Sequence, residues 1–131
     1  SEVAPLAEGS VDRAIELAEP ERAASRAAFL QAVAEATRAG TAGAAVKLAE
    51  SADPDRRAMR DRLFDLAAHL SVRARSAAAD DALALARGYE AIMAATEDIE
   101  LANASPAHVL TELALALHRV GAGRALAQPP R

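Results

Sequence analysis

Cysteine is absent from this chain of 131 residues, which excludes disulfides and thiolate zinc sites. Tryptophan is absent too, and the aromatic residues reduce to Phe29, Phe64 and Tyr89. Strand formers are sparse. No apolar run approaches the ~20 residues that a membrane-spanning helix needs. No basic segment followed by an apolar stretch marks a signal peptide near Ser1, and a cytoplasmic protein is the expectation. The chain starts without methionine, which leaves open that it is a piece of something longer. An excess of positive charge is missing as well: 15 basic residues stand against 19 acidic ones, for a net charge of −4. That balance argues against a dedicated nucleic-acid binder.

What is present is alanine, which supplies most of the 52% apolar content. Alanine favours helix more than any other residue and buries little area. The expected fold class is therefore all-α, a multi-helix bundle. Glycines and prolines, six of each, punctuate it.

Caps and apolar spacing place the helices. Residues 1–8 read as the tail of one helix, which Gly9 ends, because glycine takes the left-handed conformation that stops a helix. Ser10 then reads as the N-cap of a short helix over 10–19, with Asp12 favourable in its first turn. Val11, Ala14, Ile15 and Ala18 share one face of that helix.

Pro20 is expected to open the next helix, to about residue 38. Its inner face would be Ala23, Leu30, Val33 and Ala34, with Phe29 alongside, and Gly40 would end it. A small helix over 42–51 offers only Val46 and Leu48. Asp53-Pro54 reads as a start signal for a helix to about 79, with Met59, Leu63, Leu66 and Leu70 as a strong amphipathic stripe. Asp80-Asp81 mark a break. A helix over 81–102 follows, with Leu85, Tyr89, Ile92, Thr96 and Ile99 inward and Gly88 as a local weak point. Asn103-Ala104-Ser105-Pro106 reads as a tight turn in which Asn closes one helix, Ser caps the next and Pro opens it. The last helix, 106–120, points Val109, Leu110, Leu113, Leu117 and Val120 inward. Gly121 and Gly123 end it, and residues 124–131 read as a disordered tail.

Chemistry-bearing patterns are scarce. His69, His108 and His118 raise the question of a metal, and His108 and Glu112 share a helix face. No second histidine–carboxylate pair accompanies them, so they read as surface residues rather than ligands. No phosphate loop or nucleophile context supports an enzyme, and neither a catalytic residue nor a cofactor site is expected. The arginines of the 55–62 run alternate with Asp55 and Asp61, and Arg57 and Asp61 stand four apart. That run reads as a solvated helix face.

Two stretches carry a family resemblance. Leu6-Ala7-Glu8-Gly9-Ser10, followed by Arg13-Ala14-Ile15 and Leu17, resembles the end of the lid subdomain in bacterial clamp loader subunits of the AAA+ group. Asn103, Ser105-Pro106, Val109-Leu110, Glu112-Leu113, Leu115 and Leu117 resemble that family's final turn and helix, with Ser105 replacing an asparagine. The similarity is closest to the delta-prime subunits of DNA polymerase III. The middle of the chain is similar only in helix pattern.

The resemblance implies that residues 1–19 end the lid, and that 20–123 form the helical collar that holds five subunits in a ring. It implies partners of the gamma/tau and delta type. In ATP-binding members an arginine two residues after the Gly-Ser pair contacts phosphate. Here Asp12 takes that place and Arg13 follows one step, about 100°, around the helix. A carboxylate there would repel a triphosphate, so no productive ATP binding is expected. The competing reading is a stand-alone helical-bundle adaptor or homodimerisation module.

Overall fold

The computed structural model describes the backbone of residues 5–127 and the side chains from residue 20 to residue 127. Six helices make up this span, with no strand among the described residues: α1 (Pro5–Ala39), α2 (Ala42–Ala49), α3 (Arg56–Arg75), α4 (Ala79–Glu100), α5 (Pro106–Arg119) and α6 (Ala122–Ala127). The protein is an all-α bundle. α3 and α4 form a hairpin, packed more extensively than any other helix pair. α5 lies against α2 and α4, and α6 fills the space between α1 and α4. No helix among the described residues is long and apolar enough to cross a membrane.

The amphipathic stripes account for the core. Met59, Leu63, Leu66 and Leu70 are all buried, as are Leu85, Ile92, Thr96 and Ile99 of α4 and Val109, Leu110, Leu113 and Leu117 of α5. Buried Thr96 satisfies its hydroxyl by donating to the Ile92 carbonyl at 2.9 Å. Tyr89 departs from the expectation and is 40% exposed. The buried line along α4 runs instead through Leu85, Gly88 and Ile92, one residue to the side. α2 shows the same substitution of small for large: Ala45 is buried with Leu48, while Val46 is exposed.

Gly88 is thus a packing residue rather than a weak point. A Cβ there would lie 2.8 Å from Leu70 Cδ2, 3.1 Å from Leu117 Cδ2 and 3.3 Å from Ala122 Cβ. Alanine at this site gains about 1 kcal/mol of helix propensity. Overpacking a close-packed core costs about 1–3 kcal/mol, and at this crowding it outweighs the gain. Gly88→Ala is expected to lower the urea midpoint; a raised midpoint would mean that α3 and α5 give way freely.

The N-terminal expectation of three helical pieces is corrected. The backbone from Pro5 to Ala39 is one helix of 35 residues, with Gly9 and Ser10 inside it and Pro20 inside it as well. Both breakers act locally. A glycine costs about 1 kcal/mol and a proline about 3 relative to alanine, and the i→i−4 ladder resumes on either side. Among the described side chains of α1, burial begins at Phe29, and Phe29, Val33, Ala36 and Thr37 are buried. Residues 20–28 are exposed, including Ala23, which the spacing had placed inward.

Other boundaries shift by a few residues. Asp55, not Asp53, caps α3: its side chain accepts the Arg57 amide at 3.1 Å, while Asp53 accepts the Asp55 amide at 2.9 Å in the preceding turn. α4 starts at Ala79, with Asp80 and Asp81 in its first turn, where negative charge suits the dipole. Gly40 (φ 66°) and Gly121 (φ 83°) take the left-handed conformation after α1 and α5. Gly123 does not end a helix. It lies within α6, which carries the fold through residues 124–127 of the expected tail; Ala125 is buried there and Leu126 packs on the core. The remainder of the expected tail, 128–131, lies outside the described residues.

Candidate functional site

The turn before α5 has the geometry that its sequence suggests. Asn103 adopts φ 56°, a left-handed conformation that asparagine tolerates better than most residues. The Ala104 amide then donates back to the Asp98 carbonyl at 3.0 Å, closing α4. Pro106 opens α5, where its missing N–H would have been unpaired in any case. Ser105 is the N-cap residue by backbone but makes no side-chain capping bond, which corrects the expected capping role.

Behind this turn sits Arg56, at the first position of α3. Its guanidinium donates to the carbonyls of Ala104 (2.7 Å), Asn103 (3.2 Å) and Ile99 (3.3 Å). The fork of N–H groups thereby takes up the Ile99 carbonyl in the last turn of α4 and two carbonyls of the turn that follows. Arg60, one turn on, pairs with Glu100 at 3.2 Å and with Asp61 at 3.5 Å, and its guanidinium stands 5.8 Å from the centre of the Phe64 ring. Arg62 donates to the Ser51 carbonyl at 3.2 Å, lies 3.8 Å from Asp53 and covers the Phe29 ring at 5.8 Å. The arginine run is therefore less a solvated face than a set of tertiary clamps: Asp61 meets Arg60, and Arg57 is the exposed member.

Arg56→Ala is expected to cost about 2 kcal/mol, in the range for hydrogen bonds from a charged group. Arg57→Ala should stay within about 0.5 kcal/mol of the parent, as exposed substitutions do. Equal thermal shifts for the two variants would show that the clamp contributes nothing.

The histidines separate into three roles. His108 is exposed and stands 3.7 Å from Glu112, a surface pair. His69 is held below the usual histidine pKa, first by burial and then by the charge of Arg73. His118, read from the sequence as a surface residue, has a tertiary partner: its Nδ1–H donates to the Thr37 carbonyl at 2.9 Å in the last turn of α1. Gly40 makes room for this contact, because a Cβ at that position would lie 2.3 Å from the imidazole. Among the described residues no group of three or more potential ligands converges on a point.

Shallow grooves mark the described surface, two of them as follows. One, of about 380 Å³ between α4 and α5, has Ala95 and Leu113 among its apolar residues and Asp98, His108, Glu112 and Arg119 as its polar ones. The other, of about 520 Å³ between α1 and α2, is formed by Ala32, Ala36, Ala39, Ala44 and Leu48, with Glu35, Lys47 and Glu50 beside them. Leu110, Leu113 and Leu117, which belong to the family-like pattern, line the core, and Glu112 faces solvent. Gly9, Ser10, Asp12, Arg13 and Ala14 fall in the N-terminal part of α1, with no helix end between them. No family model, no curated protein and no solved structure matches this chain.

Proposed function

We propose that this chain is an assembly domain: the collar of a clamp loader subunit of the delta-prime type in bacterial DNA polymerase III. Its role would be to hold the loader that places the sliding clamp on primed DNA. The observation that carries the reading is the α4–α5 turn. Asn103 closes one helix, Pro106 opens the next, and Leu110, Leu113 and Leu117 after it enter the core, which supports the resemblance of this stretch to the family's final turn and helix. The partners are the collars of gamma/tau-type and delta-type subunits, met through helical surfaces. Val46, Val72, Leu83 and Leu101 are exposed on four different parts of the bundle and supply apolar area for such contacts. The domain contributes no catalytic group and no cofactor site to this reading, and Asp12 in place of a phosphate-contacting arginine makes the subunit a non-ATPase.

Light scattering on the purified chain mixed with gamma/tau and delta collar regions tests the proposal. A stable complex is the expected result; separate elution at high concentration would remove its support. A second reading, a stand-alone adaptor or homodimerisation module, is favoured by one observation. α1 runs unbroken through Gly9 and Ser10, where the resemblance places the entry to a separate lid helix. That reading expects a symmetric dimer of the chain alone and indifference to clamp loader collars.

A further inference from the structure

We propose that the recess between the start of α3 and the end of α4 binds the phosphate group of a small phosphate monoester. The recess, of about 350 Å³, is walled by Arg56, Arg57 and Arg60 of α3 and by Ile99, Glu100 and Asn103 at and just after the end of α4. Positions 56, 57 and 60 fall within one arc of a helix, so the three guanidinium groups gather on one side of α3. Three arginines thus share these walls with one carboxylate, on a chain whose net charge is −4. Glu100 is committed to Arg60 at 3.2 Å, and Asp61 meets the same arginine at 3.5 Å without lining the recess. Arg56 donates to three backbone carbonyls, which fix its position without cancelling its charge. Arg57 pairs with no carboxylate among the described residues, because Asp61, four residues on, is bound to Arg60 instead. Like charges held close together repel, and an anion between them removes that repulsion.

Hydrogen bonding points the same way. Arg60 Nε is buried and has no acceptor. A buried donor without a partner is unfavourable, and a bound ion is one remedy for it. A turn of Arg60 toward an oxyanion in the recess gives this donor its acceptor. Arg57 has its whole fork of N–H groups free, and that fork matches the oxygens of a phosphate. The backbone at the start of α3 is not what binds, since the Asp55 carboxylate already accepts the Arg57 amide at 3.1 Å. The ligand class follows from charge and shape. A phosphate monoester carries close to two negative charges at pH 7, which balances the uncompensated Arg56 and Arg57; a carboxylate carries one. A nucleic acid would need a basic stripe along the surface, and this chain has more acidic than basic residues. A single recess of this volume suits a small molecule. The inference does not depend on the collar reading.

The test is a titration of the full chain, labelled with nitrogen-15, with inorganic phosphate and with methyl phosphate at constant ionic strength. The arginine Nε–H signals of Arg56, Arg57 and Arg60 should shift and saturate, and chloride should not reproduce the shifts. Arg57→Ala should weaken binding about tenfold, the loss expected when a charge-assisted hydrogen bond is removed. Arg87→Ala, an exposed arginine of α4 outside the recess, controls for net charge and should leave binding unchanged. Glu100→Gln removes the one carboxylate from the walls and should tighten binding about threefold, a gain that a misfolded variant cannot produce. Shifts that grow linearly, or that chloride matches, would overturn the site. So would equal weakening in Arg57→Ala and Arg87→Ala, or no gain in Glu100→Gln. Tighter binding of a DNA duplex than of methyl phosphate would overturn the ligand class and make the recess part of a polyanion track.

Discussion

Replacing Gly123 with alanine is expected to destabilise the protein by about 3 kcal/mol, at the upper end of what overpacking usually costs. The added methyl would meet the Thr37 carbonyl oxygen at 2.8 Å, the Thr37 carbonyl carbon at 2.9 Å and Arg38 Cα at 3.0 Å. These are backbone atoms of α1 and cannot rotate aside, unlike the leucine tips that face Gly88. α6 would have to lift from α1, which also strains the bonds from Arg73 to the Leu126 carbonyl (3.0 Å) and the Ala125 carbonyl (3.5 Å) that hold its end. For a domain of this size the loss corresponds to a fall in Tm of about 10 °C. Gly43→Ala is the matched control: apart from its chain neighbours and the nearby backbone of its own helix, no heavy atom lies within 4 Å of its Cβ position, and the site is inside α2. That variant should gain up to about 1 kcal/mol from helix propensity. Opposite signs for two Gly→Ala changes in helices would show that packing, not propensity, decides the outcome. A shift of less than 1 °C for Gly123→Ala would mean that α6 is not docked on α1 in solution.

The same contrast explains how far the sequence could be read. Leucine and isoleucine stripes at helical spacing were legible, because a large apolar residue in a helix has one strong reason for its position. Met59, Leu63, Leu66 and Leu70 could be assigned inward from spacing alone, and they are buried. Small residues carry no such signal. Gly88, Ala45 and Gly123 lie at close approaches between helices, and a glycine or alanine in the sequence does not reveal what presses against it. Tyr89 was misplaced for this reason: it is the large residue beside the small one that packs inward, as exposed Val46 is beside buried Ala45.

Breakers were ambiguous in a different way. Gly40 and Gly121 end helices, whereas Gly9, Pro20 and Gly123 do not, and the outcome depends on the rest of the chain rather than on the residue. Around Pro20 the helix continues on both sides, and at Gly123 the adjacent α1 backbone requires the absence of a side chain. Arg56 and His118 were illegible for a third reason. A guanidinium or an imidazole caps a helix from a distant element, and only the fold brings residues 56 and 104, or 37 and 118, together.

Leu117 and Leu101 separate core from exposed surface, which sequence alone could not do. Leu117 is fully buried, its Cδ2 lies 3.1 Å from where a Gly88 Cβ would stand, and it belongs to the family-like pattern of α5. Leu117→Ala should cost about 3 kcal/mol, within the range for emptying a leucine site in a packed core. Leu101 is 79% exposed at the end of α4 and exposes apolar area that the bundle itself does not use. Leu101→Ala should leave the urea midpoint within error, because a side chain that is exposed in both states loses little on truncation. In the proposed binding to partner collars the order of interest reverses. A loss of association in Leu117→Ala reports only unfolding, and is expected to return at lower temperature or denaturant-free conditions in proportion to the folded fraction. A loss in Leu101→Ala at unchanged stability would place a partner on the α4 end of the bundle. Full binding by Leu101→Ala would direct attention to Val46 on α2 or to Val72 and Leu83 on the α3–α4 hairpin, each of which can be truncated by the same logic without touching the core.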